Sequence, residues 1–396
     1  MTASGVQTVG LRVQNRVLLT LALGAGIGAT AASFVSLAPN RLVSGRPVTL
    51  WAGPDYASSA GIAALIATMI LASFLPTTKT INWIVAALGL ALVLLILFAA
   101  GHAAMLLTAG AGPAARASPG AAFWILLFCA ALAIVNAMQA LRSGPLSGLA
   151  IAAFICATAA AMADAGIFNA LSIVREYQNN RDIFGAEIGR HCTLVLGSLL
   201  PALLLGVPLG VIAVGSPQLR GSLFAILNIL QTIPSIALFG ILIAPLSALA
   251  DAVPALAFIG VGGIGLAPAI IALVLYALLP VVRNTYSGLA GVDRAVIETA
   301  EGMGLTRRQI FRKVELPLAL PVLLAGLRIV MVQAIGLAVV AALVGAGGLG
   351  TFVFQGLGQN AADLVLLGAI PAILLALAAD FLLQTATAFV RGRGAP

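Results

Sequence analysis

Residues 298–317 read ETAEGMGLTRRQIFRKVELP. Only 8% of the chain is Asp, Glu, Lys or Arg, a total of 20 basic and 12 acidic residues. Nine of these crowd into this stretch and its approach: Asp293, Arg294, Glu298, Glu301, Arg307, Arg308, Arg312, Lys313 and Glu315. The local signals predict two short helices. Asp293 is placed to cap DRAVIETAEGM, and Gly304 to end it in a left-handed conformation. Thr306 and Gln309 have capping-box spacing and would open a second helix, TRRQIFRKVEL, which Pro317 is expected to close. Charge alone leaves two uses open for such a knuckle: a basic face against lipid headgroups, or a surface for another protein.

The rest of the chain is apolar. With 61% hydrophobic residues over 396 positions and a mean hydropathy of +1.14, it has more apolar surface than a water-soluble core could hide. The expected class is all-α, a polytopic membrane protein of about ten transmembrane helices, near 17–37, 59–75, 83–107, 121–140, 147–168, 192–214, 222–247, 268–289, 318–344 and 362–390. The first run follows Arg12 and Arg16, is long for a signal peptide and precedes further spans, so it reads as an uncleaved helix. A net charge of +8 does not imply nucleic acid, because the basic residues are scattered at the ends of apolar segments. Placing both termini in the cytoplasm puts twelve Lys and Arg inside and six outside, with Arg283 near the inner side, so the positive-inside rule selects that orientation. The knuckle then faces the cytoplasm.

The longest polar interruption, SIVREYQNNRDIFGAEIGRH (172–191), divides the chain. We expect an N-terminal extension of about five helices at 1–168, an external polar connector at 169–191, and a core at 192–391 that carries the charged loop, 292–316. No motif of the second part recurs in the first, so duplication has little support.

Spacing narrows the reading of the knuckle. Glu298-Thr299-Ala300, three residues, Gly304, nine residues, then Val314-Glu315-Leu316-Pro317 resembles the E-A-A, three, G, nine, I-x-L-P signature of ABC importer permeases. Thr299 and Val314 depart from that pattern by small changes. Further stretches, LQTIPSIALFGILIAPL (230–246), LPVVRNTYSGLAGVD (279–293), LPLALPVLLAGLRIVMVQAIG (316–336) and VGAGGLG (344–350), are similar to the branch that imports glycine betaine, choline, carnitine and related osmoprotectants. The resemblance covers about 190–391 and implies a type I permease core of five helices. It also implies that Glu298, Thr299, Ala300, Gly304, Arg307, Arg308, Val314, Leu316 and Pro317 dock an ATPase subunit. The implied partners are that ATPase with its ATP and Mg, a second permease protomer identical or related to this one, an extracytoplasmic solute-binding protein and membrane lipid. The implied location is the cell membrane, inner or cytoplasmic, which the chain crosses many times.

In the knuckle itself, Ala300 and Gly304 are small enough for close approach, and Ile297, Met303 and Ile310 are candidate anchors for the ATPase. Polar residues within the spans are costly in lipid and therefore informative. Gln231, Pro234 and Gln333 are candidate pathway residues, with a proline kink and a locally satisfied amide as the plain alternative. Arg328 lies 11 residues after Pro317, and Asp380 lies 11 before Arg391. At about 1.5 Å per residue the two share a depth, and antiparallel spans would let them pair.

Other features point away from chemistry on this chain. GVGGIG (260–265) and GAGGLG (345–350) fit the dinucleotide fingerprint but lack its strand, helix and acidic residue, and read as flexible or closely packed loops. Neither lysine, Lys79 or Lys313, sits in a Walker A pattern, so any ATP belongs to another chain and no cofactor is expected here. Cys129, Cys156 and Cys192 are isolated, the first two reading as packing residues, and His102 and His191 are too few for a catalytic cluster, so neither a metal site nor an enzyme is expected. Trp51, Trp83 and Trp124 all fall in the extension, leaving the core without an obvious aromatic cage for a quaternary ammonium. The alternatives are an ABC permease for an amino acid or another small solute, and an ion-driven secondary transporter. The latter would need coupling carboxylates in the membrane, where only Asp164 and Asp380 qualify.

Overall fold

The computed structural model describes residues 12–393, apart from 42, 54, 113 and 259. Residues 1–11 of the N-terminal extension lie outside the described residues. The chain forms two compact units, Met1–Asn179 and Asn180–Pro396.

The first unit runs α1 (Arg16–Ala31), β1 (Ser33–Ala38), β2 (Arg46–Thr49), α2 (Tyr56–Ala72), α3 (Lys79–Ala109), β3 (Arg116–Pro119), α4 (Ala121–Ala140), α5 (Pro145–Asp164) and α6 (Ser172–Asn179). Its core lies among α1 to α4, where Leu18, Ile62, Leu92, Ile96 and Leu126 are fully buried. Gly28 lets α1 close on α4: a Cβ there would stand 2.6 Å from Ile125. The segment predicted as a span over 17–37 is not one helix. Asn15 caps α1, and after Ala31 the β-branched and aromatic residues of SFVSLA enter a strand.

That strand is the centre of an antiparallel sheet of order β2-β1-β3, built from loops that hydropathy leaves unassigned. Glu176 of α6 is almost wholly buried and meets Arg116 and Arg41 from around the sheet. Residues 172–179 thus belong to the first unit, while Arg181–His191 is the first third of a long helix in the second. Cys129 is buried near Gly24, whereas Cys156 is exposed on α5, so its role as a packing residue is not upheld within this chain.

Asp55 caps α2 and its Oδ2 lies 2.9 Å from His102 Nδ1, whose ring stacks on Phe98. Burial would raise the Asp55 carboxyl, but hydrogen bonds from Ser58 and His102, with the charge of His102, outweigh it and hold it below its ordinary value. A carboxyl depressed in the folded state adds stability above its unfolded pKa of about 3.9, and loses it as pH falls through the folded value. Asp55→Asn is therefore expected to flatten the acid limb of thermal stability below about pH 4. An unchanged acid limb in the variant would show that other groups set it.

The second unit contains α7 (Arg181–Gly215), α8 (Pro217–Thr232), α9 (Ser235–Ala252), α10 (Pro254–Phe258), α11 (Leu266–Ala290), α12 (Arg294–Gly302), α13 (Arg307–Ile310), α14 (Leu316–Val340), α15 (Gly350–Gly358) and α16 (Ala362–Arg393). Helix α11 is its axis, packed along α7 and α14, with α16 beside α14. Gly206 and Gly210 allow the α7–α11 contact, since a Cβ would come within 2.6 Å of Val281 or 2.5 Å of Thr285. The predicted span over 222–247 is broken into α8 and α9, because Pro234 denies the helix a donor and holds Ile233 extended.

Among the described residues, eight helices are long and apolar enough to cross a membrane, and α1 and α2 are shorter apolar helices. The chain is an all-α polytopic membrane protein with one small sheet.

The two glycine runs meet within the second unit. Gly265 N–H donates to the Val344 carbonyl at 2.7 Å, and a Cβ on Gly345 would stand 2.8 Å from Ile264. Gly345, Gly347 and Gly348 all have positive φ, and the turn they make presents Gly348 N–H to the Glu187 carboxylate of α7. The fingerprint-like glycines serve close packing of backbone.

Candidate functional site

The charged stretch folds as two short helices joined at glycine. Asp293 Oδ1 accepts from Ala295 N–H at 2.9 Å to begin α12. Gly304 takes φ +81° just beyond that helix, a conformation that other residues adopt at a cost. Gln309 Oε1 accepts from Thr306 N–H at 2.8 Å at the start of α13.

The second helix does not end where sequence places its end. It widens into a π-helical turn, Phe311–Glu315, and continues into α14. Pro317 sits in the first turn of α14; the wider turn before it accommodates the ring and the missing N–H. The knuckle is therefore continuous with a long apolar helix.

Two of the residues read as contacts for a partner point inward. Ala300 and Ile310 are each 1% exposed and form the small core between α12 and α13. Ile297 is half-buried. The outer apolar surface comes from Met303 and Val296, flanked by exposed Thr299, Gly304 and Pro317; Val314 and Leu316 are half-buried at the junction with α14. Arg307 Nη1 reaches the buried Glu315 at 3.1 Å, and Arg294 Nε bonds Glu298 Oε1 at 2.9 Å within α12. Arg308 is exposed and makes no ion pair among the described residues. Of the two neighbouring arginines, Arg307 braces the knuckle and Arg308 is available to a partner. The i, i+8 separation of Arg307 and Glu315 across a π-turn is not a pairing that regular helical spacing suggests.

The polar residues within the bundle fall into separate groups. Gln231 Nε2 donates to the Tyr276 carbonyl at 2.8 Å, and Tyr276 O–H donates to the Ile233 carbonyl freed by the break at Pro234. Tyr276, unremarked in the sequence, thus holds the end of α8 and the extended residue that precedes Pro234. Gln333 is half-buried on α14 and is not joined to this network. Arg328 donates from Nε and Nη2 to both carboxylate oxygens of Asp380, linking α14 to α16, with the Nη2 bond at 2.7 Å. No group of three His, Cys, Asp or Glu that could hold a metal occurs among the described residues.

Known proteins place this geometry. Residues 202–391 match the family described as the binding-protein-dependent transport system inner membrane component, and residues 14–174 match the N-terminal domain of ABC transporter permease YehY. The carnitine transport permease protein OpuCB of Listeria monocytogenes is 38% identical over 212 residues, 54% of this chain and 90% of the relative. This chain belongs to the ABC importer permease family. Another relative of the permease is the glycine betaine/carnitine/choline transport system permease protein OpuCD of Bacillus subtilis, 38% identical over 52% of this chain and 84% of its own length. The osmoprotectant import permease protein OsmW of Salmonella typhimurium is 40% identical over 49% of this chain and 86% of its own length. Among solved structures, the inward-facing MetNI methionine ABC transporter has 25% identity and a TM-score of 0.46, covering 52% of this chain and 96% of that one. As a member of its family the permease is a transport subunit and not itself an enzyme.

Proposed function

We propose that this chain is the transmembrane subunit of an ATP-driven importer for quaternary-amine osmoprotectants such as glycine betaine, choline or carnitine. The observation that carries this reading is the spacing from Glu298 through Gly304 to Leu316-Pro317, folded as an exposed two-helix knuckle continuous with α14. The relatives' solutes support the choice of cargo.

In this reading the loop 292–316 docks a separate ATPase that holds ATP and Mg, through Glu298, Thr299, Gly304, Arg308 and the apolar Met303. Ala300 and Arg307 act by shaping the knuckle, and Val314, Leu316 and Pro317 by joining it to the membrane helix. Gln231, Pro234 and Gln333 are candidates for the translocation path, and the Arg328–Asp380 pair fixes the bundle around it. A second permease protomer completes the path, and an extracytoplasmic binding protein delivers the solute. The protein lies in the cytoplasmic membrane with both termini inside. The N-terminal unit, up to Asn179, is an extension on the transport core, and the stretch expected as a connector, 169–191, is shared between the two.

Reconstitution into vesicles with a candidate ATPase and binding protein, followed with labelled betaine, tests the proposal. Uptake is expected only with both partners and ATP. Uptake by the permease alone, independent of ATP, would overturn the proposal, and ATP-dependent uptake of an amino acid in preference to betaine would change the cargo.

A further inference from the structure

Three polar pairs join α8 to α11 and set a depth scale within the bundle. Arg220 Nη1 donates to the Tyr286 hydroxyl at 2.6 Å, with its guanidinium 5.3 Å from the centre of that ring. Gln231 Nε2 reaches the Tyr276 carbonyl, and Arg283 Nη2 donates to Asn228 Oδ1 at 3.4 Å. Arg220 is three residues from the start of α8 and Tyr286 four from the end of α11, so their pair marks the end of the bundle that leads into the knuckle. Gln231 and Tyr276 each lie 14 residues from that end, about 21 Å.

The remaining pair does not share a level. Arg283 is seven residues from the end of α11, about 10 Å, whereas Asn228 is 11 from the start of α8, about 16 Å. The Arg283 side chain therefore runs about 6 Å away from the knuckle end, toward the middle of the membrane. It follows the lean of helical side chains toward the N-terminus; snorkelling to the nearer headgroups would take it the other way. Helix α11 has 25 residues and spans about 37 Å, so a charge about 16 Å from its end lies deep within a hydrocarbon core of about 30 Å.

Arg283 and Asn228 are both exposed. Arg283 makes no ion pair among the described residues, and one long hydrogen bond is all that its five N–H donors receive. The other deep arginine, Arg328, holds both oxygens of Asp380. No carboxylate of the second unit is left to do the same for Arg283: Glu187 is taken by Gly348, and the others stand at helix ends or in the knuckle. A second copy of this chain would bring the same set and no spare carboxylate. Hydrocarbon leaves a guanidinium unsolvated at this depth. The face that carries Asn228 and Arg283 therefore borders water, and the counter-charge comes from outside the chain.

We infer that Arg283 lines the translocation path and selects solutes that carry a carboxylate beside the quaternary ammonium, as glycine betaine and carnitine do, over the purely cationic choline. The selection rests on the importer reading and narrows its cargo. Guanidinium and carboxylate meet as a two-bond fork, while choline brings a second positive charge and a hydroxyl to the same place. Asn228 holds the guanidinium at its level.

The position is tested without ATPase, binding protein or solute. Thr232 is exposed one turn beyond Asn228 on the same face of α8. Full-length Thr232→Cys permease in lipid nanodiscs is treated with two methanethiosulfonates, one ending in a sulfonate and one in trimethylammonium. Labelling is read on the peptide that carries residue 232, relative to a free thiol in solution. The anionic reagent should be favoured about tenfold; Arg283→Gln should remove the preference and Arg283→Lys keep it. No labelling by either reagent would put lipid or a second copy of the chain against this face and overturn the proposal. Equal labelling by both in Thr232→Cys alone would also overturn it, a result that needs no variant of Arg283 to fold.

Selection is tested in vesicles with an ATPase and a binding protein that accepts both solutes, by the ratio of betaine to choline uptake. The binding protein's own preference is common to all variants. Arg283→Gln should lower the ratio at least about tenfold, the effect of losing hydrogen bonds to a charged group, and Arg283→Lys should retain most of it. An unchanged ratio in Arg283→Gln would overturn the selection. Absence of ATP-driven uptake of either solute by the unsubstituted protein would refute the importer reading instead, and labelling at Thr232→Cys would still decide where Arg283 stands.

Discussion

A Glu298→Lys or Gly304→Trp permease is expected to insert into the membrane normally and to lose its ATPase subunit. Gly304 has open space where a Cβ would stand, so tryptophan meets no neighbour within the permease. Its cost inside the chain is the left-handed backbone, roughly 1–2 kcal/mol, which the rest of the second unit can bear. Its cost to docking is larger, because an indole would project from the point where a partner must approach most closely.

Glu298→Lys breaks the pair with Arg294 and leaves two like charges on the same exposed face of α12. Displacing a docking anchor of this kind costs about 2 kcal/mol or more, a loss of at least about thirtyfold in affinity. Co-purification of the ATPase with each variant, alongside the fraction of permease in the membrane, measures both effects. Retained association in both variants would remove the docking assignment. Arg307→Ala sharpens the test: it should weaken association by loosening the brace to Glu315, and shortening that brace in Arg307→Lys should do less harm.

The second large effect is expected at the Arg328–Asp380 pair. These groups are 39% and 30% exposed in the isolated chain, but in a bilayer that exposure is to hydrocarbon or to neighbouring helices. Reversing either charge alone places two like charges together in the bundle. An unpaired charge near the centre of a membrane helix costs about 2.5–3.5 kcal/mol on insertion scales, enough to lower the yield of folded protein severely. Arg328→Asp with Asp380→Arg restores opposite signs and should recover much of the loss, with a coupling on the order of 1–3 kcal/mol. Recovery is read as monodisperse protein after extraction and as melting temperature. A double swap no better than its single parents would show that the two side chains do not stabilise the bundle as a pair.

The candidate site was legible in unequal parts. Caps and hinge are local, so Asp293, Gly304 and Thr306-Gln309 could be read from residues a few positions apart. The inward turn of Ala300 and Ile310 was not legible, because an apolar residue on a short amphipathic helix fits its own core and a partner's groove equally well. The path through Pro317 was also hidden: proline is a strong stop signal, yet here the helix passes through a π-turn and continues. Tyr276 escaped notice because an aromatic in an apolar span carries no polar signature until a broken helix supplies a free carbonyl.

The sequence by itself determined the membrane class, the number of apolar segments to within their broken and shortened members, and the charged knuckle with its spacing. Those are matters of composition and short-range order, which hydropathy and capping chemistry express directly. Tertiary structure decided most of the meetings between polar groups, the Arg328–Asp380 pair being the one that matched depth on antiparallel spans had suggested. Gln231 bonds a carbonyl 45 residues away and Gly348 a carboxylate 161 away. No local pattern encodes such pairs, because burial in a bundle, not proximity along the chain, makes an unsatisfied donor too costly to leave alone.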